Sequence, residues 1–94
     1  MHEMGMCQAV LAKVEQRAQG RRVAEVRVQV GQALAVLPEV FEQGFAVLAH
    51  GGPAQDATVD VMTVPGEELT LVSLRYAAAE HEAVAAPATS TGGR

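Results

Sequence analysis

At Gly20 the apolar spacing of the chain changes period. Before it, Met4, Cys7, Leu11, Val14 and Ala18 recur at i, i+3, i+7, i+10 and i+14, which is one stripe of a helix. Lys13, Glu15, Gln16, Arg17 and Gln19 fall off that stripe, toward water. Arg17 suits the negative end of the helix dipole, and Gly20 stops the helix because it takes a positive φ without a Cβ clash. After Gly20 comes "VAEVRVQVG", in which Val26, Val28 and Val30 alternate with Glu25, Arg27 and Gln29. A period of two with β-branched residues on one face predicts a half-buried strand that ends at Gly31.

The rest of the chain extends this pattern. Pro38 fits the first turn of a second helix, in which Phe41, Phe45 and Leu48 share a face supported by Val40 and Val47. Gly51-Gly52-Pro53 ends it. Gly44 within it costs up to ~1 kcal/mol against alanine, so a close packing contact is expected there. "ATVDVMTVPGEELTLVSLRY" reads as two strands joined at Pro65-Gly66, an expected antiparallel hairpin. In the second strand Leu69 and Leu71 are out of phase with Leu74 and Tyr76, which predicts a bulge near Val72-Ser73. The expected fold is therefore α/β in two layers, in the order α-β-α-β-β. Two helices pack on one face of a three-stranded mixed sheet. Residues 77–94 have little to bury: a frayed helix over 77–86 and disorder from Pro87 to Arg94 are expected, so the domain is placed at 1–76.

Size and charge narrow the function classes. A chain of 94 residues has room for one domain. Net charge is −4, and Arg21-Arg22 is the only adjacent basic pair, so no nucleic-acid surface is expected. No apolar run approaches the ~18–20 residues that a membrane helix needs. The single cysteine carries no disulfide signal, no secretory leader is visible, and the cytoplasm is the expected compartment.

The start, "MHEMGMC", holds the densest set of metal-binding groups. Histidine at position 2 is too large for ready removal of Met1, so the α-amine is expected to stay free. That amine, the His2 amide nitrogen and the His2 imidazole close two small chelate rings on one ion, and the Glu3 amide or carboxylate completes a plane. Nitrogen-rich square-planar geometry points to nickel(II) or copper(II). First-turn amides have no intrahelical acceptor, so using one as a ligand breaks no hydrogen bond. The helix dipole opposes a cation there, and Glu3 offsets part of that repulsion. Cys7, one turn inward on the apolar stripe, reads as core.

"MHEMGMC", "VRVQVG", "PEVFEQGFAVL" and "GEELTLVSLRY", in that order, make the chain over roughly residues 1–76 resemble the HypA family, the nickel-insertion accessory proteins of nickel–iron hydrogenase maturation. The resemblance implies two helices on a three-stranded mixed sheet. It implies nickel(II) held by Met1 (amine), His2 and Glu3, and as partners a HypB-like GTPase and the hydrogenase large subunit, with urease maturation a related role. Two departures stand out. The family carries a zinc ribbon with two Cys-x-x-Cys pairs where this chain has only "VPGEEL", and with Cys7 as the sole thiol no four-cysteine zinc site is expected. Many relatives also have an acidic residue just before the proline of the second helix, where this chain has Leu37; no ligand role is carried onto Glu39.

Other candidates have simpler readings. His50 is expected to cap the C-terminal end of the second helix. His81 between Glu80 and Glu82 is a weak metal cluster in an expected floppy tail, and Glu67-Glu68 is a solvated pair at a turn. Met4, Met6 and Met62 are expected in the core. No nucleophile–base pair or phosphate loop is present, so a metallochaperone rather than an enzyme is expected. The alternative is a metal-free docking or scaffold subunit in a hydrogenase or maturation complex. An unpaired sheet edge leaves room for a monomer or a weak homodimer.

Overall fold

The computed structural model describes residues 3–77 and 81–87. The first helix, α1, spans Glu3–Ala18, and the first strand, β1, spans Val23–Gly31. A short 3-10 turn at Gln32–Leu34 leads to α2, Pro38–Ala49. Three strands follow: β2 at Thr58–Val64, β3 at Leu69–Tyr76 and β4 at His81–Pro87. Helix α1 ends where two successive residues, Gln19 and Gly20, take positive φ.

The sheet is mixed, in the order β2-β1-β3-β4. Strands β1 and β2 run parallel with α2 as their crossover, and Val26 and Val28 stand opposite Val59 and Val61. This agrees with the two-layer α/β expectation, with two corrections. The first concerns the hairpin. Strand β3 pairs antiparallel with β1, not with β2. Residues 65–68 therefore pass over the end of β1 instead of making a tight turn. They are held there by Gly31 N donating to Glu68 O at 2.8 Å and Ala33 N donating to Gly66 O at 2.8 Å. Gly31 permits the crossing: a Cβ there would lie 2.6 Å from Gly66 O and 2.7 Å from Glu67 Cα. The second correction is a fourth strand. Residues 81–86, expected as frayed helix, and Pro87, expected to begin a disordered stretch, instead pair antiparallel with β3, so the folded unit extends beyond the expected limit at residue 76. The rest of the stretch expected to be disordered, residues 88–94, lies outside the described residues.

The bulge expected near Val72-Ser73 is present. Between Arg27 and Val28 the β3 partner jumps from Ser73 to Leu71, which leaves Val72 as the extra residue. That residue reverses the phase of β3, so Leu69 and Leu71 before it and Leu74 and Tyr76 after it all face the core.

The core is aliphatic around two rings. Phe41 and Phe45 stack with centroids 6.3 Å apart. They pack with Met6, Cys7, Val10, Val14, Val26, Val28, Leu71 and Leu74, all essentially inaccessible. The α1 stripe is rotated slightly from the expected one: Met6 and Val10 are buried and Met4 is exposed. Met62 is also exposed, so only Met6 of the three methionines is a core residue. Val40 and Val47 face solvent and do not reinforce the apolar face of α2. Gly44 has the close contact that its cost required, since a Cβ there would stand 3.1 Å from Cys7 Sγ.

Candidate metal-binding site

Three contacts place the head of α1 beside the first half of α2. Cys7 Sγ donates to Phe41 O at 3.3 Å. Cys7 and the Met4 methyl both approach Gly44. The 3-10 turn that follows β1 is separated from α2 by only residues 35–37. Both helix starts, the end of β1 and the 65–68 crossing thus share one end of the domain.

Glu3 is the first residue of α1 and is exposed. It stands where amide hydrogens lack intrahelical partners and where the helix dipole favours an anion. Met1 and His2, the other two expected ligands, lie outside the described residues. Cys7, one turn further in, is fully buried. Burial, and secondarily the nearby Glu3 carboxylate, push its thiol above the ordinary value of 9.0. A protonated, enclosed thiol is a poor ligand, in agreement with its reading as core. Leu37 is the residue before α2 and is 63% exposed, and Glu39 is exposed in the first turn.

The other histidines are not brought to this place. His50 occupies the C-terminal cap position of α2, at the opposite end of that helix, where its backbone N–H donates to Val47 O at 3.4 Å. His81 begins β4, opposite Arg75. Among the described residues no three His, Cys, Asp or Glu side chains converge. Within the "EHE" stretch, Glu82 is engaged elsewhere. Its carboxylate accepts from the Tyr76 hydroxyl at 2.7 Å and pairs with Arg17 at 3.2 Å. The Arg21 guanidinium stacks 3.7 Å above the Tyr76 ring. Burial and Glu82 raise the Tyr76 phenol above its ordinary value of 10.0, against the opposing pull of Arg21 and Arg17. This knot was missed in the sequence. The available signal was the chain's only tyrosine, on the buried phase of β3, with a hydroxyl that needs a partner.

The fold is that of a small two-layer α/β domain whose first helix opens on the exposed Glu3. Residues 1–71 match the family model described as "Hydrogenase/urease nickel incorporation, metallochaperone, hypA", and the chain belongs to the HypA family. It is 36% identical over 69 residues to the hydrogenase maturation factor HypA of Rhodopseudomonas palustris strain BisB5, covering 70% of this chain and 61% of that protein. It is 32% identical over 66 residues to the HypA of Trichodesmium erythraeum, covering 70% of this chain and 58% of that protein. The chain thus spans about three fifths of the length of the curated relatives it matches. The solution structure of the nickel metallochaperone HypA from Helicobacter pylori has the same fold, with a TM-score of 0.60 at 15% identity, over 90% of this chain and 99% of that one.

Proposed function

We propose that this chain is a nickel-binding metallochaperone that serves the maturation of nickel–iron hydrogenase. Its cargo is one nickel(II) ion held by the Met1 amine, His2 and Glu3. The observation that carries the reading is Met-His-Glu at the head of α1 in a domain of the HypA family, with Glu3 exposed in the first turn. Glu3, the described member of that set, is exposed at the surface and is not part of the core. Release of the ion therefore leaves the core untouched, which suits a carrier. The work is transfer rather than catalysis. Its partners are a HypB-like GTPase and the large subunit of the hydrogenase, in the cytoplasm. Among the described residues no helix is long and apolar enough to cross a membrane.

The test is nickel titration of protein with an unblocked terminus. About one nickel(II) per chain is expected, lost in His2→Ala and after acetylation of the α-amine. Affinity should fall as pH drops through ~6.5, where the imidazole protonates. Equal uptake by blocked and unblocked protein overturns the proposal.

A second reading, a metal-free docking subunit, is favoured by the exposed apolar residues Met4, Leu37, Val40 and Val47. Full maturation by His2→Ala, with every partner retained, would select it.

A further inference from the structure

Helix α2 is apolar over more of its circumference than the core uses. Phe41, Phe45 and Ala49 are buried. Beside them, Leu37 at the N-cap, Val40, Gly44 and Val47 follow at i, i+3, i+7 and i+10, a second stripe along one side of the helix. Val40 is 41% and Val47 68% exposed. The stripe continues onto α1, because the Met4 methyl stands 4.0 Å from where a Cβ of Gly44 would be. Met4, Leu37, Val40 and Val47 are four of the five large apolar side chains exposed among the described residues, so exposure is concentrated on one seam. A helix that is apolar this far round is ordinarily covered on both sides.

The seam lies between two helices that run side by side. Cys7 meets Gly44, and Glu15, eight residues on, meets Gly52, also eight residues on. The charges along it are of one sign. Helix α2 carries Glu39 and Glu42, both exposed, and no lysine or arginine. Glu15 Oε2 stands 3.2 Å from where a Cβ of Gly52 would be, just past the end of α2. Among the described residues none of these three carboxylates is in an ion pair. The cations of α1 are turned away: Lys13, nine residues from Met4, falls on the opposite side of the helix, and Arg17 pairs with Glu82 of β4.

We propose that this seam binds a helix of a partner protein that is apolar along one stripe and basic on its flanks. The inference deepens the reading of the chain as a carrier that docks on other proteins, and rests on it. Charge selects this occupant. A second copy would bring its own Glu39 and Glu42 to a seam that already holds only carboxylates, with a net charge of −4 on each chain. Residues 88–94 of the same chain, "ATSTGGR", hold no large apolar side chain to fill it. A basic amphipathic helix satisfies both features, with its apolar stripe on Met4, Val40 and Val47 and its lysines or arginines on Glu15, Glu39 and Glu42.

The test is a heteronuclear NMR titration of the full chain, without nickel, by helical peptides of about four turns. One has leucine at i, i+3, i+7 and i+10 and lysine on its flanks; a second has glutamate for lysine; a third has serine for leucine. The leucine–lysine peptide should bind with a Kd on the order of 100 μM or below, move the Met4, Val40 and Val47 resonances, and weaken as salt is added. The other two should bind at least about tenfold more weakly. Val40→Gln with Val47→Gln, both at exposed positions, should cost about tenfold in binding while circular dichroism stays that of wild type. Glu39→Lys with Glu42→Lys should exchange the preference, so that the leucine–glutamate peptide binds better. No binding at ~1 mM overturns the proposal, as does equal binding of the serine–lysine peptide or by the valine variant. Two further results would give the seam to another occupant and overturn it too. One is a wild-type dimer that the valine variant loses in sedimentation. The other is movement of the Val40 and Val47 resonances when residues 88–94 are removed. Nickel is left out throughout, so failure here leaves the metal reading standing, and failed nickel uptake leaves the seam.

Discussion

The two ends of this domain are held by different means. At the end that carries the helix starts, backbone packs on backbone: residues 65–68 cross Gly31 through two main-chain hydrogen bonds, and the side chains around them stay in solvent. At the end that carries the tail of α1, side chains do the holding. Tyr76, Glu82, Arg17 and Arg21 tie α1, β3 and β4 into one polar knot. The difference shows how a small domain can keep a site free. Where the frame is fixed by main chain, as beside Glu3, a carboxylate stays exposed in the first helical turn. Where it is fixed by side chains, as at Glu82, an acidic residue in a metal-like "EHE" context is already spoken for.

Substitutions can break that contrast, and the largest effect is expected at the first end. Gly31→Ala pushes a Cβ into the backbone of Gly66 and Glu67, which cannot rotate away. It should destabilise the fold by about 2–3 kcal/mol in urea melts. At the second end, Tyr76→Phe removes one hydroxyl that donates to a carboxylate, and a loss of about 1–2 kcal/mol is expected. Glu82→Gln should bring the Tyr76 phenol down toward its ordinary value, read by ultraviolet titration. The sign of the linked stability follows. A phenol and a thiol raised in the folded state hold their protons longer than in the unfolded chain. Stability is therefore full below pH 9.0 and falls as pH climbs through the raised values of Cys7 and Tyr76. Smallest of all, Arg22→Ala removes an exposed ion pair with Asp56 and should change stability by less than about 0.5 kcal/mol.

Local pattern made much of this legible from the sequence. The periods of α1 and β1, the proline at the start of α2 and the phase break at Val72 are each set by residues close together in the chain. The partner of β3 was not. Pro65-Gly66 says that the chain turns, but not that β1, apolar on its core face and ending in a glycine that lets another strand cross, will lie between β2 and β3. Strand β4 was illegible for another reason. Its alanines and its one glutamate have little strand preference, and it forms where β3 offers an open edge and Tyr76 offers Glu82 a proton. At the site, Glu3 lies where the helix pattern put it and Cys7 is buried as its stripe required. The rotation that exposes Met4 in place of Met6 depends on how α1 meets α2, which no single helix encodes.

The crossing over Gly31 also makes the fold a socket. Its downstream end is pinned at Gly66 and Glu68, and its upstream end leaves β2 at Val64, so extra chain spliced between Val64 and Pro65 would have no strand register to disturb. Lengthening such a closed loop costs only about 0.6 kcal/mol per doubling. A grafted module at that point would ride at the end of the domain where β1 hands over to the second helix.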